Sequence, residues 1–199
     1  VDFDFVEFPA QIYEHWMRQP DVIREFALHH ETGEPMPGAL LERLNGAANA
    51  KSGFDNVEFI ASAFVDLAYH RLTDEEILAD LDVNAFEDGV LAQAGKPNAI
   101  EMRHRSPHFL HSFAGELYAG GYYTYMWAGV LDNDGFAAFE EIGDPFDPGL
   151  ASRLYEYVYS AGNTRPAMDA YVGFRGREPS TEALMRNRGL KAEEGDPNF

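Results

Sequence analysis

One carboxylate near the start of the chain lies among bulky apolar residues. Glu7 is flanked by Phe5, Val6 and Phe8. Such surroundings are costly for a carboxylate unless it is exposed, paired or bound to a cation. Physics alone favours a glutamate that interacts with the positive end of a helix macrodipole, and a metal ligand is the alternative.

Three tyrosines further along have helical spacing. Tyr118, Tyr122 and Tyr125 stand at i, i+4 and i+7, so on a helix their phenols would share one face. There they would offer neutral donors to a peptide carbonyl or to a developing oxyanion. A tyrosine stripe is more often part of a core or an interface, so the spacing leaves both interpretations open.

Two other segments suggest metal sites of their own. His104, His108 and His111 also have i, i+4 and i+7 spacing, which would suit zinc on a continuous helix. Pro107 disfavours that helix, and we interpret the histidines as surface or substrate-loop residues. The acidic run 132–135 is not an EF-hand, because Val130 would occupy the first ligand position and cannot coordinate calcium.

Similarity to one known protein family extends over nearly the whole chain. Further distinctive runs are Arg103–Phe109, Phe174–Pro179 and Arg188–Leu190. Residues 4–16 resemble the segment downstream of the His-Glu-x-x-His helix in zinc metallopeptidases of the peptidyl-dipeptidase Dcp and thimet oligopeptidase (oligopeptidase A) family. Residues 111–127 resemble the glycine- and tyrosine-rich substrate loop of the same family.

The resemblance implies a role for each candidate. Glu7 would be a protein ligand of Zn²⁺. His111, Tyr118 and Tyr125 would approach the substrate, with Tyr125 stabilising the tetrahedral intermediate, and Tyr122 would help to bind the peptide. Leu117 stands where relatives usually have glycine, which leaves the position of the loop open.

The implied reaction is hydrolysis of short peptides with release of C-terminal dipeptides. Zinc would polarise the scissile carbonyl and lower the pKa of water, and a glutamate would act as general base. Arg103 and Arg105 are candidates for binding the terminal carboxylate of the substrate, and ordinary surface ion pairing is the alternative for both.

The chain contains no His-Glu-x-x-His motif and begins with an apolar, aromatic stretch. We therefore expect residues 1–190 to be the C-terminal part of a longer catalytic domain, with 191–199 as a polar tail, and we expect this chain alone to be inactive. The other zinc ligands would come from the upstream part. The rival hypothesis is a non-catalytic helical module that binds peptides, a second copy of itself or the missing N-terminal part.

Composition excludes several functions. The formal net charge of −19 disfavours nucleic acid and anionic membranes as partners. The absence of cysteine excludes disulfides and thiolate metal ligands. With no apolar run of transmembrane length and no signal peptide, the sequence predicts a cytoplasmic protein.

The elements that position these residues are predicted to be helices throughout, as in the C-terminal portion of a zincin-like oligopeptidase domain. Apolar residues recur mostly at helical spacing, without strict alternation. The expected helices cover residues 5–17, 22–28, a segment from 40, 54–72, a pair starting near Thr73 and Asn84, 119–139 with an interruption at 132–135, 148–159, 165–174 and 180–188. Thr73 with Glu76, and Asn84 with Glu87, fit capping boxes.

Overall fold

The computed structural model describes residues 1–78 and 80–190 and confirms the all-α prediction. The α-helices are α1 Phe8–Trp16, α2 Pro20–Phe26, α3 Gly38–Ala47, α4 Ser52–Tyr69, α5 Asp74–Leu78, α6 Val83–Gln93, α7 Thr124–Ile142, α8 Pro148–Leu154, α9 Ala167–Arg175 and α10 Glu182–Asn187. Sheet-like pairing in the described residues is limited to an isolated bridge between Leu28 and Pro35. The tail 191–199 lies outside the described residues.

Short irregular helices complete the secondary structure. The 3₁₀ turns are Phe3–Phe5, Ser106–His108, Leu110–Phe113 and Glu116–Tyr118, and Tyr155–Tyr159 is a π-helical turn. In the part of the chain with assigned structure, we find no helix with both the length and the apolar character that crossing a membrane requires.

The chain divides into two compact units. The first contains residues 1–52 and 126–190, and the second contains residues 53–125. The core of the first unit is rich in aromatic residues. Its buried members are Phe5, Phe8, Ile12, Leu131, Phe136, Ala138, Phe139, Leu150, Leu154, Val158, Ala170, Tyr171 and Phe174.

The start of the chain differs from the single helix expected over 5–17. A 3₁₀ turn at Phe3–Phe5 precedes α1, which begins at Phe8. Pro9 occupies the first turn of α1, where a missing N–H costs nothing. Phe5 and Phe8 both reach the core, with ring centroids 5.2 Å apart.

The expected interruption at 132–135 is wrong, because α7 runs without a break from Thr124 to Ile142. Gly135 serves close packing instead of a turn. A Cβ at this position would lie 3.2 Å from Ile12 and Phe174 atoms and 3.3 Å from Phe8. The glycine therefore allows α1 and α9 to approach the helix closely.

A buried carboxylate on α7 explains the motif Phe174–Pro179. Asp134 accepts a 2.6 Å hydrogen bond from the Tyr171 hydroxyl and another of 2.6 Å from Arg177. Arg175 lies 3.3 Å from the same carboxylate and also pairs with Glu141. Between the two arginines, Gly176 ends α9 with a φ of 86°, the left-handed conformation that glycine adopts readily.

The second unit confirms one predicted helix start and corrects the other. Thr73 and Glu76 form the reciprocal capping box. The start at Asn84 is wrong, because Asp82 is the N-cap of α6 and accepts hydrogen bonds from Asn84 and Ala85 N–H. Glu87 is fully buried, and its carboxylate accepts hydrogen bonds from Arg105 and from the Ser106 N–H.

A substitution at Gly173 tests how α9 packs on the π-helical turn, because a Cβ at this position would lie 2.1 Å from the Tyr157 ring. We expect Gly173→Ala to lower the free energy of unfolding by about 1–3 kcal/mol, because overpacking outweighs the better helix propensity of alanine. The control Gly46→Ala lies in α3 with no atom near its added methyl group, and it should gain up to about 1 kcal/mol. Urea denaturation measures both, and shifts in the same direction would contradict this packing.

Candidate active site

The tyrosine segment is not the continuous helix that the spacing suggested. It consists of the 3₁₀ turns Leu110–Phe113 and Glu116–Tyr118 and a glycine-containing turn, and α7 begins only at Thr124. Of the three tyrosines, only Tyr125 lies in an α-helix. The shared helical face is therefore wrong, and another arrangement brings the rings together.

That arrangement is centred on His111. The rings of Tyr118, Tyr122 and Tyr125 lie edge-on to its imidazole, with centroid distances of 4.9, 5.5 and 5.8 Å. The Tyr125 hydroxyl is 3.1 Å from His111 Nε2. We call these four residues the tyrosine cluster. They are the aromatic residues that were predicted to contact the substrate.

The hydrogen bond between His111 and Tyr125 depends on the imidazole tautomer. His111 Nδ1 is buried and has no hydrogen-bond partner in the described part of the chain. A buried N–H without an acceptor costs more than an unused lone pair, which favours the proton on Nε2. In that tautomer His111 donates to the Tyr125 oxygen, and the Tyr125 O–H is not the donor of this hydrogen bond.

The tyrosines of the cluster differ in burial. Tyr122 is 7% exposed, and its ring stacks on Phe59 at 4.8 Å and meets Phe109 edge-on at 4.7 Å. This burial raises the pKa of the Tyr122 phenol, so the neutral form persists above the usual range. Tyr118 is 39% exposed. The cluster thus has one side chain set in the core and another that reaches solvent.

A residue that the sequence did not reveal lies beneath the turn before Tyr122. Asp66 on α4 is 2% exposed and accepts hydrogen bonds from the N–H groups of Gly120, at 3.3 Å, and Tyr122, at 2.9 Å. The signal available in the sequence was an aspartate between Val65 and Leu67, because an apolar helix face rarely accepts a carboxylate without partners.

Both candidate arginines form ion pairs. Arg103 donates to Glu58 at 2.8 Å and lies over the Phe59 ring, 5.6 Å from its centroid. Arg105 pairs with the buried Glu87 and donates to Asn84 Oδ1 at 3.1 Å. To bind a substrate carboxylate, either guanidinium would have to share or exchange these partners.

Glu7 belongs to the first unit, at the N-cap position of α1. Its backbone oxygen accepts hydrogen bonds from the N–H groups of Ala10 and Gln11. The side chain is half-buried and does not cap the helix. Over residues 1–78 and 80–190, no group of three or more His, Asp or Glu side chains is placed to hold a metal ion.

Comparison with known proteins identifies similar sequences over almost the entire chain. The model of peptidase family M3 matches residues 1–190. A dipeptidyl carboxypeptidase from Salmonella typhimurium is 38% identical in an alignment of 192 positions that covers 94% of this chain and 27% of the relative. Oligopeptidase A from Escherichia coli is 34% identical in an alignment of 195 positions that covers 96% of this chain and 28% of the relative. A probable cytosolic oligopeptidase A from Arabidopsis thaliana is 32% identical in an alignment of 198 positions that covers 96% of this chain and 27% of the relative. The chain therefore spans little more than a quarter of the length of these relatives.

The burial of Tyr122 predicts a pH dependence of stability. In the folded protein the pKa of Tyr122 is raised above 10.0. The contribution of the neutral phenol to the free energy of unfolding is therefore complete below the pKa of tyrosine in the unfolded chain, and it is lost as the pH rises through the folded-state pKa. From about pH 10 upward, the free energy of unfolding of the wild type should therefore fall more steeply than that of Tyr122→Phe. Urea denaturation at a series of pH values measures the slopes. Tyr155→Phe, at an exposed tyrosine, should follow the wild type, and parallel curves for all three proteins would contradict the prediction.

Proposed function

The chain belongs to peptidase family M3, and from this premise we propose that residues 1–190 form the C-terminal part of a zinc metallopeptidase catalytic domain. The proposed activity is hydrolysis of short peptides with release of C-terminal dipeptides, and the relative named dipeptidyl carboxypeptidase supports this choice. We further propose that the protein acts in the cytoplasm, as the name of the Arabidopsis relative suggests for that protein. The tyrosine cluster around His111 is the observation that carries the proposal.

We assign Glu7 as the one zinc ligand that this chain supplies. Its carboxylate is half-buried and makes no capping hydrogen bond to α1, and burial of such a group is costly unless it binds a cation or another partner. The other ligands would come from an upstream segment with the His-Glu-x-x-His motif. Bound zinc would polarise a peptide carbonyl and lower the pKa of a water molecule.

The tyrosine cluster supplies donors for the charge that develops during hydrolysis. Attack on a peptide carbonyl converts its oxygen to an oxyanion, and a preorganised O–H stabilises this state more than the ground state. Tyr125 is the proposed donor, because His111 lies 3.1 Å from its oxygen and thereby fixes the position of the hydroxyl group. Tyr118 is more exposed, and we assign it to substrate positioning together with Tyr122.

Arg103 and Arg105 remain our candidates for recognising the terminal carboxylate of the substrate. Arg103 is the stronger candidate, because its partner Glu58 is partly exposed, whereas the partner of Arg105 is the fully buried Glu87. Removing Arg105 from Glu87 would leave a buried carboxylate without its cation, at a cost of several kcal/mol.

The assignment of Glu7 is tested in a protein that includes the upstream segment. Glu7→Ala should lose bound zinc and peptide hydrolysis together, because a site of this type needs three protein ligands. Glu7→Asp should retain some metal, since its carboxylate is only drawn back by one methylene. Metal analysis and hydrolysis assays measure both, with Glu14→Ala as the control at an exposed glutamate of the same helix. Full zinc content in Glu7→Ala would show that Glu7 is not a zinc ligand, and its role would then lie at the helix terminus.

Substitutions of Tyr125 and Tyr118 should have different effects on the kinetics of peptide hydrolysis. Tyr125→Phe should lower kcat about 100- to 1000-fold with a smaller change in KM, as expected for the loss of one oxyanion donor. Tyr118→Phe should show a larger share of its effect in KM. Both variants keep the ring, so thermal melts should stay close to the wild type. Near-normal kcat with a much lower melting temperature in Tyr125→Phe would instead indicate that the cluster is structural.

A further inference from the structure

The turn that leads into the tyrosine cluster has few hydrogen bonds of its own. Its local bonds run from Tyr118 N–H to Gly115, from Ala119 N–H to Glu116, from Gly121 N–H to Tyr118 and from Thr124 N–H to Gly121. The N–H groups of Gly120 and Tyr122 point instead to the two carboxylate oxygens of Asp66. One side chain on α4 therefore satisfies two backbone donors of the turn.

The conformation of Gly120 makes this double contact possible. Its φ of 65° lies in the left-handed region, which turns the chain so that both N–H groups face one carboxylate. A Cβ on Gly120 would contact His70 at 3.5 Å and Leu67 at 3.7 Å, so the turn packs directly on α4.

His70 adds a further contact to the Asp66 residue. Its Nδ1 lies 2.9 Å from the Asp66 backbone oxygen and 3.0 Å from Oδ1. Both neighbours are acceptors, so Nδ1 carries the proton. The carboxylate thus accepts two backbone hydrogen bonds and has the imidazole N–H of His70 beside it, and these contacts offset the cost of burying its charge.

We propose that Asp66 is a positioning residue for the reaction: by holding Gly120 and Tyr122 it sets where the phenols of the tyrosine cluster lie. This inference rests on the proposed function. Tyr122 packs edge-on against both His111 and Tyr125, with its ring 5.5 Å from each. A displacement of the Tyr122 backbone therefore moves the neighbours of the donor that we assign to the oxyanion.

The decisive variant is Asp66→Asn in the protein that includes the upstream segment. A carboxamide has only one acceptor oxygen, so its NH₂ group must face either the Gly120 or the Tyr122 N–H. We expect amide hydrogen exchange at these two residues to accelerate at least about tenfold relative to α6. We expect kcat to fall by about 100-fold, more than KM rises, because a shift of about 1 Å in a catalytic group has an effect of this size.

Two control variants separate positioning from general loss of stability. Asp88→Asn removes the same charge from an exposed position in this unit, and Val65→Ala weakens the core beside Asp66 on the same helix. At a temperature where every variant is folded, both should keep the wild-type kcat and the wild-type ratio of exchange rates between the turn and α6.

Each outcome bears on the proposal. Selective exchange at Gly120 and Tyr122 together with a lower kcat supports it. Unchanged exchange in Asp66→Asn, uniform acceleration throughout the unit, or selective exchange with a normal kcat would overturn it. An inactive parent protein would refute the proposed function, and the exchange rates would still decide whether Asp66 holds the turn.

Discussion

The hydrogen bonds between the Asp66 carboxylate and the backbone of the tyrosine segment are the interaction on which the second unit depends. The segment before α7 contains only isolated 3₁₀ turns, so its own hydrogen bonds do not define one conformation. Asp66 provides what regular structure would otherwise provide, because it satisfies buried backbone donors at fixed positions. The arrangement of the tyrosine cluster around His111 follows from this contact, together with the packing of Tyr122 on Phe59.

The first unit uses a buried aspartate in a similar way. Asp134 lies on the long helix α7, is 1% exposed and binds Tyr171 and Arg177 at once. Here too a glycine with positive φ, Gly176, lies within the segment that is held. In both units a buried carboxylate on a helix face binds donors from another segment, which is a turn for Asp66 and α9 with the residues after it for Asp134. Such an arrangement favours one conformation strongly, because loss of either partner leaves a buried polar group unsatisfied.

Local patterns in the sequence predicted the helical fold. Contacts between residues far apart in the chain could not be predicted from these patterns. The capping box at Thr73 needs only four residues, and the structure confirms it. Gly135 looked like a break in α7, because its real function depends on side chains from α1 and α9. Glu87 was interpreted as part of a capping box, because its real partner Arg105 lies 18 residues further along the chain and no local pattern indicates that contact. The tyrosines were identified by helical spacing, yet turns bring them together around His111, and the supporting Asp66 gave no local motif.

The contact between Gly173 and Tyr157 also restricts how this sequence can change over evolutionary time. The tyrosine ring occupies the space that any side chain at position 173 would need, so the two positions share one volume. A larger residue at 173 becomes acceptable only after a smaller one has appeared at 157. The order of substitutions therefore matters, and the two sites form an epistatic pair joined across the π-helical turn and α9.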